Sequence, residues 1–154
     1  MFRWRWVVAL VLTAGFVIGW IVYPSLHVEQ TRDVAVPPDG ASPEEVVRAY
    51  LDALDAHDCD TAERLMTPNS SAESWCEDLA GLADVQLRDV IPEKPRWSGH
   101  RDDQQVMQVV VRFDLDWPWL HGDGSMPEGL TTWGYLLVRD SEAESWTIFD
   151  QGVA

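Results

Sequence analysis

From residue 42 onward the spacing of apolar positions changes midway along the chain, and the change predicts the architecture. Val46, Val47, Tyr50, Leu51 and Leu54 recur at the 3.6-residue spacing of one helix face, with Arg48, Asp52 and Asp55 outside the stripe. Ser42 suits the N-cap, Pro43 the first helical position, and Glu44 and Glu45 oppose the positive end of the helix dipole. Ser42 and Glu45 also have the spacing of a capping box. The helix is expected to stop near His57 and Asp58. A second short helix over 60–66, ended by Pro68, and a third from Ser71 to about Leu82 follow.

Further along, the period falls to two. Val85, Leu87, Asp89 and Ile91 share one parity within a strand expected over 83–92. The clearest strand is 105–117, where Met107, Val109, Val111, Phe113, Leu115 and Trp117 alternate with Gln108, Val110, Arg112, Asp114 and Asp116. Strands over 130–139 and 145–152 complete the set, joined by a polar loop at 140–144. Segment 93–104 reads as a turn or a poorly formed short strand, and 118–129 as a Gly/Pro loop. Helices first and strands afterwards argue an α+β fold, with helices covering one face of a mostly antiparallel sheet.

The N-terminus has no such period. Residues 6–23 carry no charge, and at ~1.5 Å per residue the run spans roughly 27 Å, enough for a bilayer core. Trp4 and Trp6 flank one end and Trp20 and Tyr23 the other, as interfacial belts do. Arg3 and Arg5 precede the run, and all 26 acidic residues follow it. The positive-inside rule then leaves the N-terminus cytoplasmic and the acidic remainder outside. The expected organisation is a cytoplasmic N-terminus and transmembrane signal-anchor over 1–23, a tether over 24–41 and an extracellular domain over 42–154. The alternative is a cleaved signal peptide, but the run is long for one and no A-x-A-like site follows Tyr23. Gly15 and Gly19 form a G-x-x-x-G, a spacing that lets two helices approach, although glycine is common in membrane helices.

A net charge of −15 repels phosphate and argues against nucleic acid as a partner. Cys59 and Cys76 are the only cysteines. Outside the cytosol a disulfide between them is permitted, and the loop it closes is worth ~3 kcal/mol in the chain-entropy model. The alternative is two buried thiols. His57 with Cys59 does not make a zinc site, and no metal or cofactor is expected.

The opening SPEEVVRAYLDALDAHDCDTAERLM and the close WGYLLVRDSEAESWTIFDQG resemble the nuclear transport factor 2-like superfamily, which includes ketosteroid isomerase and SnoaL-type cyclases. Small actinobacterial membrane-anchored or secreted members are more similar still: they share a D-C-D-T-A handover and a later W-C, which Cys59 and Cys76 match. The resemblance covers about Ser42 to Val153. It implies a cystatin-like cone, a curved sheet wrapped around a long helix with a pocket at the open end. Enzymes of that superfamily use an Asp or a His inside the cone.

No motif places such a residue here. Asp114 and Asp116 fall on the parity opposite the apolar positions and read as a solvated outer face. Asp150 shares parity with Trp146 and Ile148, and Asp89 with Val85 and Leu87. Either, if inward, would have a raised pKa and could serve as a general base. The alternative for each is a strand-end carboxylate at a turn or beside an arginine. His57 stands where the first helix ends and reads as structural. His27 lies in the tether, and His100 and His121 lie in loops. No G-x-S-x-G, phosphate loop, H-E-x-x-H or C-x-x-C is present, and the acids from Asp114 to Glu128 lack the calcium-loop register.

Tryptophans stand at 75, 97, 117, 119, 133 and 146 of the outer domain. Trp97 and Trp119 lie in loops, where exposure would suit protein contact. Tyr50, Leu54, Trp75, Trp133 and Trp146 are expected to line a pocket, if they are not simply core. The expected role is a membrane-anchored extracellular accessory domain that binds a protein partner or a small apolar ligand without catalysis. The alternatives are an isomerase, cyclase or dehydratase using Asp150 or Asp89, and an envelope-complex subunit dimerising through its sheet.

Overall fold

The computed structural model describes residues 29–68, 70, 73–117, 126 and 128–154. The expected anchor over 6–23, with Arg3, Arg5 and the Gly15/Gly19 pair, lies outside them, as do His27, Trp119 and His121. Among the described residues no helix is long and apolar enough to cross a membrane.

Helix α1 spans Pro43–Ala56 and opens on the expected capping box. The Ser42 hydroxyl accepts from the Glu45 N–H at 3.3 Å, and the Glu45 carboxylate accepts from the Ser42 N–H at 2.7 Å. His57 closes the helix in the left-handed conformation at φ 53°. Helix α2, Cys59–Arg64, is capped by the Asp58 carboxylate, which accepts from the Thr61 N–H at 3.1 Å. Helix α3 covers only Glu73–Asp78, shorter than the expected run to Leu82. The Ala80 N–H already donates to the Asp116 carbonyl at 3.0 Å, so Gly81 enters the sheet instead of extending the helix.

Strands β1 (Gly81–Glu93), β2 (Gln105–Asp116), β3 (Gly129–Arg139) and β4 (Thr147–Val153) form one antiparallel sheet in the order β1-β2-β3-β4. A 3-10 turn at Pro95–Ser98 occupies part of the segment between β1 and β2. The β2–β3 register is unbroken from Gln105↔Arg139 to Leu115↔Gly129. The outer strands are not regular: β1 breaks register between Ala83 and Gln86 and again between Leu87 and Asp89, and β4 breaks opposite Leu136 and Leu137. Bulges of this kind bend and twist a sheet, here into a curve around α1. Beyond β4, Met66 forms a parallel bridge with Ile148.

One apolar cluster joins α1 to the concave face. Val47, Tyr50, Leu51 and Leu54 of α1 are buried with Val109, Val111, Phe113, Tyr135, Leu137 and Ile148 of the sheet. Each aliphatic or aromatic side chain so buried stabilises by roughly 1.5–3 kcal/mol.

The stretch expected as a tether, 24–41, is laid against the domain from Thr31 onward. The last carbonyls of a helix need donors. The Thr31 N–H supplies one to the Ala56 carbonyl at 2.8 Å, and Arg32 donates to the Asp52 carbonyl at 3.1 Å. The Val34 N–H donates to the Asp58 carboxylate at 2.8 Å, and Ala41 is buried.

Candidate functional site

The bulges decide which side chains face the concave side. In β1 the inward apolar residues are Leu82, Val85, Leu87 and Val90, all packed on the core. Asp89 and Ile91 are thereby turned out, and both are exposed. The expectation that Asp89 follows Leu87 inward is corrected by the extra residue between them. β4 behaves alike. Ile148 pairs with Leu137, but Asp150 pairs with Leu136 and Gln151 with Tyr135. Phe149 is the extra residue, so Asp150 is exposed on the convex side and Gln151 takes the inward place. Neither of these carboxylates faces the concave side of the sheet. Asp114 and Asp116 are exposed, as their parity implied.

All five expected lining residues belong to the core cluster, Trp75 packed against it and the others within it. Tyr50 is fully buried and meets Tyr135 edge-on, ring centroids 5.6 Å apart at 65°. Leu54 is buried in the same cluster. The Trp75 ring lies 5.8 Å from Trp133 and 5.9 Å from Trp117. Trp146 is buried in the same cluster, with the Arg139 guanidinium 4.4 Å above its ring. It borders a groove of about 780 Å³ with Ser42, Pro43, Pro92, Gln105 and Arg139, and that groove reaches neither Tyr50 nor Tyr135.

What distinguishes the Tyr50 region is polarity without partners. Tyr135 OH and Trp133 Nε1 are buried and complete no hydrogen bond, whereas the buried Tyr50 phenol faces the Gln151 side chain. Leaving such a group unpaired costs about 1–3 kcal/mol. Burial pushes the Tyr50 phenol well above its ordinary pKa; the nearby Gln151 side chain tempers the rise and the Glu63 carboxylate adds to it. Burial also raises Tyr135, with Tyr50 contributing. Both phenols stay protonated through the physiological range.

Sequence reasoning missed Tyr135, Gln151 and Trp117 as members of this group. Tyr135 shares parity with Trp133 and was within reach of the pattern. Gln151 was not, because only the Phe149 bulge brings it in.

A covalent frame holds Trp75 in place. Cys59 and Cys76 form the expected disulfide, with Cα atoms 5.6 Å apart, tying α2 to α3. The buried His57 ring adds a contact of 2.9 Å from Nδ1 to the Cys76 carbonyl oxygen. His57 thus has a structural place at the end of α1. His100 packs on Phe149 with ring centroids 4.4 Å apart, over the convex face. Trp97 is 70% exposed, and the Lys94 ammonium sits 4.6 Å from its ring centroid. Asp55, Asp114, Asp116 and Glu128 border a second groove, but among the described residues no group of three or more His, Cys, Asp or Glu is placed to hold a metal ion.

Compared with protein-family models, with curated proteins and with solved structures, the chain matches none.

Proposed function

We propose that the domain is a nuclear transport factor 2-like cone held at the outer face of a membrane, and that it works as an accessory module that binds a small molecule without transforming it. The helices-then-meander order and the curled sheet around α1 support the superfamily reading. The observation that carries the binding role is the concave site itself. Aromatic rings meet there, Tyr135 OH and Trp133 Nε1 are buried there without a hydrogen bond, and the two carboxylates considered as bases are exposed. Trp97, exposed beside Lys94, favours a second reading in which the turn between β1 and β2 meets a protein partner.

Titration of the full chain with small aromatic compounds, read by tryptophan emission, tests the first reading. Saturable binding that Trp133→Ala weakens at least about 10-fold is expected. Absence of saturable binding by any of them would remove the role. The membrane placement has its own test: a protease-protected N-terminal tag on a full-length, membrane-bound chain is expected, and a mature form beginning near residue 25 would contradict it.

A further inference from the structure

A chain with 26 acidic residues and 11 lysines and arginines has carboxylates to spare, yet one half-buried arginine goes without. The ion pairs among the described residues join Arg32 to Asp55, Arg96 to Asp102, and Arg101 to Asp103 and Asp140. Arg139 takes part in none of them. Its chain neighbour Asp140 is held by Arg101 and by Gln104, whose amide donates to it at 2.6 Å. Arg139 is nevertheless fixed in place. Its guanidinium lies on the Trp146 ring, its Nε–H donates to Gln105 Oε1 at 2.7 Å, and Nη1 reaches the Glu142 carbonyl at 3.4 Å. Nη2 makes no hydrogen bond among the described residues and is not sealed from solvent.

The groove of about 780 Å³ that Arg139 and Trp146 border supplies room beside that fork, within the size range of small-molecule sites. Ser42 and Pro43, at the N-terminal end of α1, form one wall, and Pro92 and Met107 of the sheet form another. A hydrogen bond from the Ser145 hydroxyl to Asp39 at 2.5 Å pins the segment before α1 to the residue preceding Trp146. The same segment first meets the domain at Ala56, the far end of the 14-residue helix and roughly 21 Å away. A ligand can therefore enter the groove without displacing that docking.

The chemistry of the groove defines its ligand. With Nε engaged and one face stacked, the Arg139 fork presents its Nη1–Nη2 edge, whose parallel N–H bonds match the two oxygens of a carboxylate. Holding the guanidinium beforehand lowers the ordering cost of binding. Pro43, Pro92, Met107 and Trp146 suit an apolar or aromatic body. Two carboxylates also border the groove, and neither pairs with Arg139. That of Glu45 accepts from the Ser42 N–H, and Glu93 belongs to β1, two strand spacings or roughly 10 Å from β3. A second negative charge further along the ligand would face them.

We propose that this groove is a binding site for a small molecule carrying a single carboxylate on an apolar or aromatic body, with the Arg139 fork taking the carboxylate and Trp146 the body. The site is distinct from the concave face, because the groove reaches neither Tyr50 nor Tyr135.

3-Phenylpropionate and 3-phenylpropanamide, alike in shape but not in charge, are the probes. Each is titrated into the full chain and followed by tryptophan emission and by the indole N–H signals in a nitrogen-15 NMR spectrum. The carboxylate is expected to bind about 10-fold more tightly or better and to move the Trp146 signal. Arg139→Gln is expected to bring the ratio toward one while the affinity for the amide stays the same. Arg139→Lys, which keeps the charge but loses the fork, should weaken 3-phenylpropionate by at least about 3-fold. Equal binding of the two compounds, binding of neither, or a preference that survives Arg139→Gln would overturn the proposal. Undiminished affinity in Arg139→Lys would overturn the forked contact. A Trp133 signal that moves in place of the Trp146 signal would put the ligand in the concave interior, overturning this site and leaving the concave-face reading standing.

Discussion

Two sets of side chains share the concave interior and finish differently. Leu51, Val109, Phe113, Leu137 and Ile148 bury carbon alone and leave nothing unpaired. Tyr135 and Trp133, in the same cluster, bury polar atoms without partners. The first set is what a stable domain needs. The second opposes stability, because each buried polar atom left unpaired carries a desolvation cost.

The contrast can be broken or sharpened by substitution. Leu51→Ala belongs to the apolar set and is expected to cost about 3 kcal/mol in urea unfolding, with an unchanged m value. A loss below about 1 kcal/mol would mean that α1 is not seated on the sheet. Replacing both cysteines by serine should cost about 3 kcal/mol at most, because the sequence separation they bridge is 17 residues. It should also loosen Trp75 and shift tryptophan emission to the red, an effect that Leu51→Ala in the still-folded protein does not produce. Unchanged emission would show that α3 is held by packing alone.

A smaller effect is expected at Asp58, which joins the segment before α1 to the domain. Burial pushes its pKa up, but hydrogen bonds from the Val34 N–H and from Thr61, with the Arg64 charge, outweigh this and leave it below the ordinary value. A depressed folded pKa means that the contribution is present above the ordinary carboxylate range, near pH ~4, and is lost as pH falls through the folded value. Asp58→Ala should cost about 1–2 kcal/mol near neutral pH. Chemical unfolding of both proteins from pH 7 to pH 2 should show the gap between them narrowing. A gap that holds constant would mean that Asp58 keeps its ordinary pKa.

How much of this could be read from the residues depended on where each strand lies. β2 and β3 lie inside the sheet and pair with each other in unbroken register, so strict alternation placed Val109, Phe113, Trp133 and Tyr135 correctly. β1 and β4 lie at the outside of the four-strand sheet and absorb the curvature through bulges, and each bulge reverses parity. A trace was present in β1: Leu82, Val85, Leu87 and Val90 are spaced three, two and three apart, which one period cannot produce. β4 offered no such trace, because Asp150 and Gln151 are both polar and the pattern does not choose between them. The capping box and the disulfide were legible because specific side chains make them. The docking of Thr31 and Val34 was not, because backbone N–H groups make it and every residue but proline carries one.

The most direct test of the central contrast is the equilibrium stability of the Tyr135→Phe protein, measured by urea unfolding. Removing an unpaired hydroxyl while keeping the ring should leave the protein as stable as the parent, or up to about 1 kcal/mol more stable. A loss of about 1 kcal/mol or more would show that the Tyr135 hydroxyl has a partner in the folded protein, and the contrast between the two sets would fail.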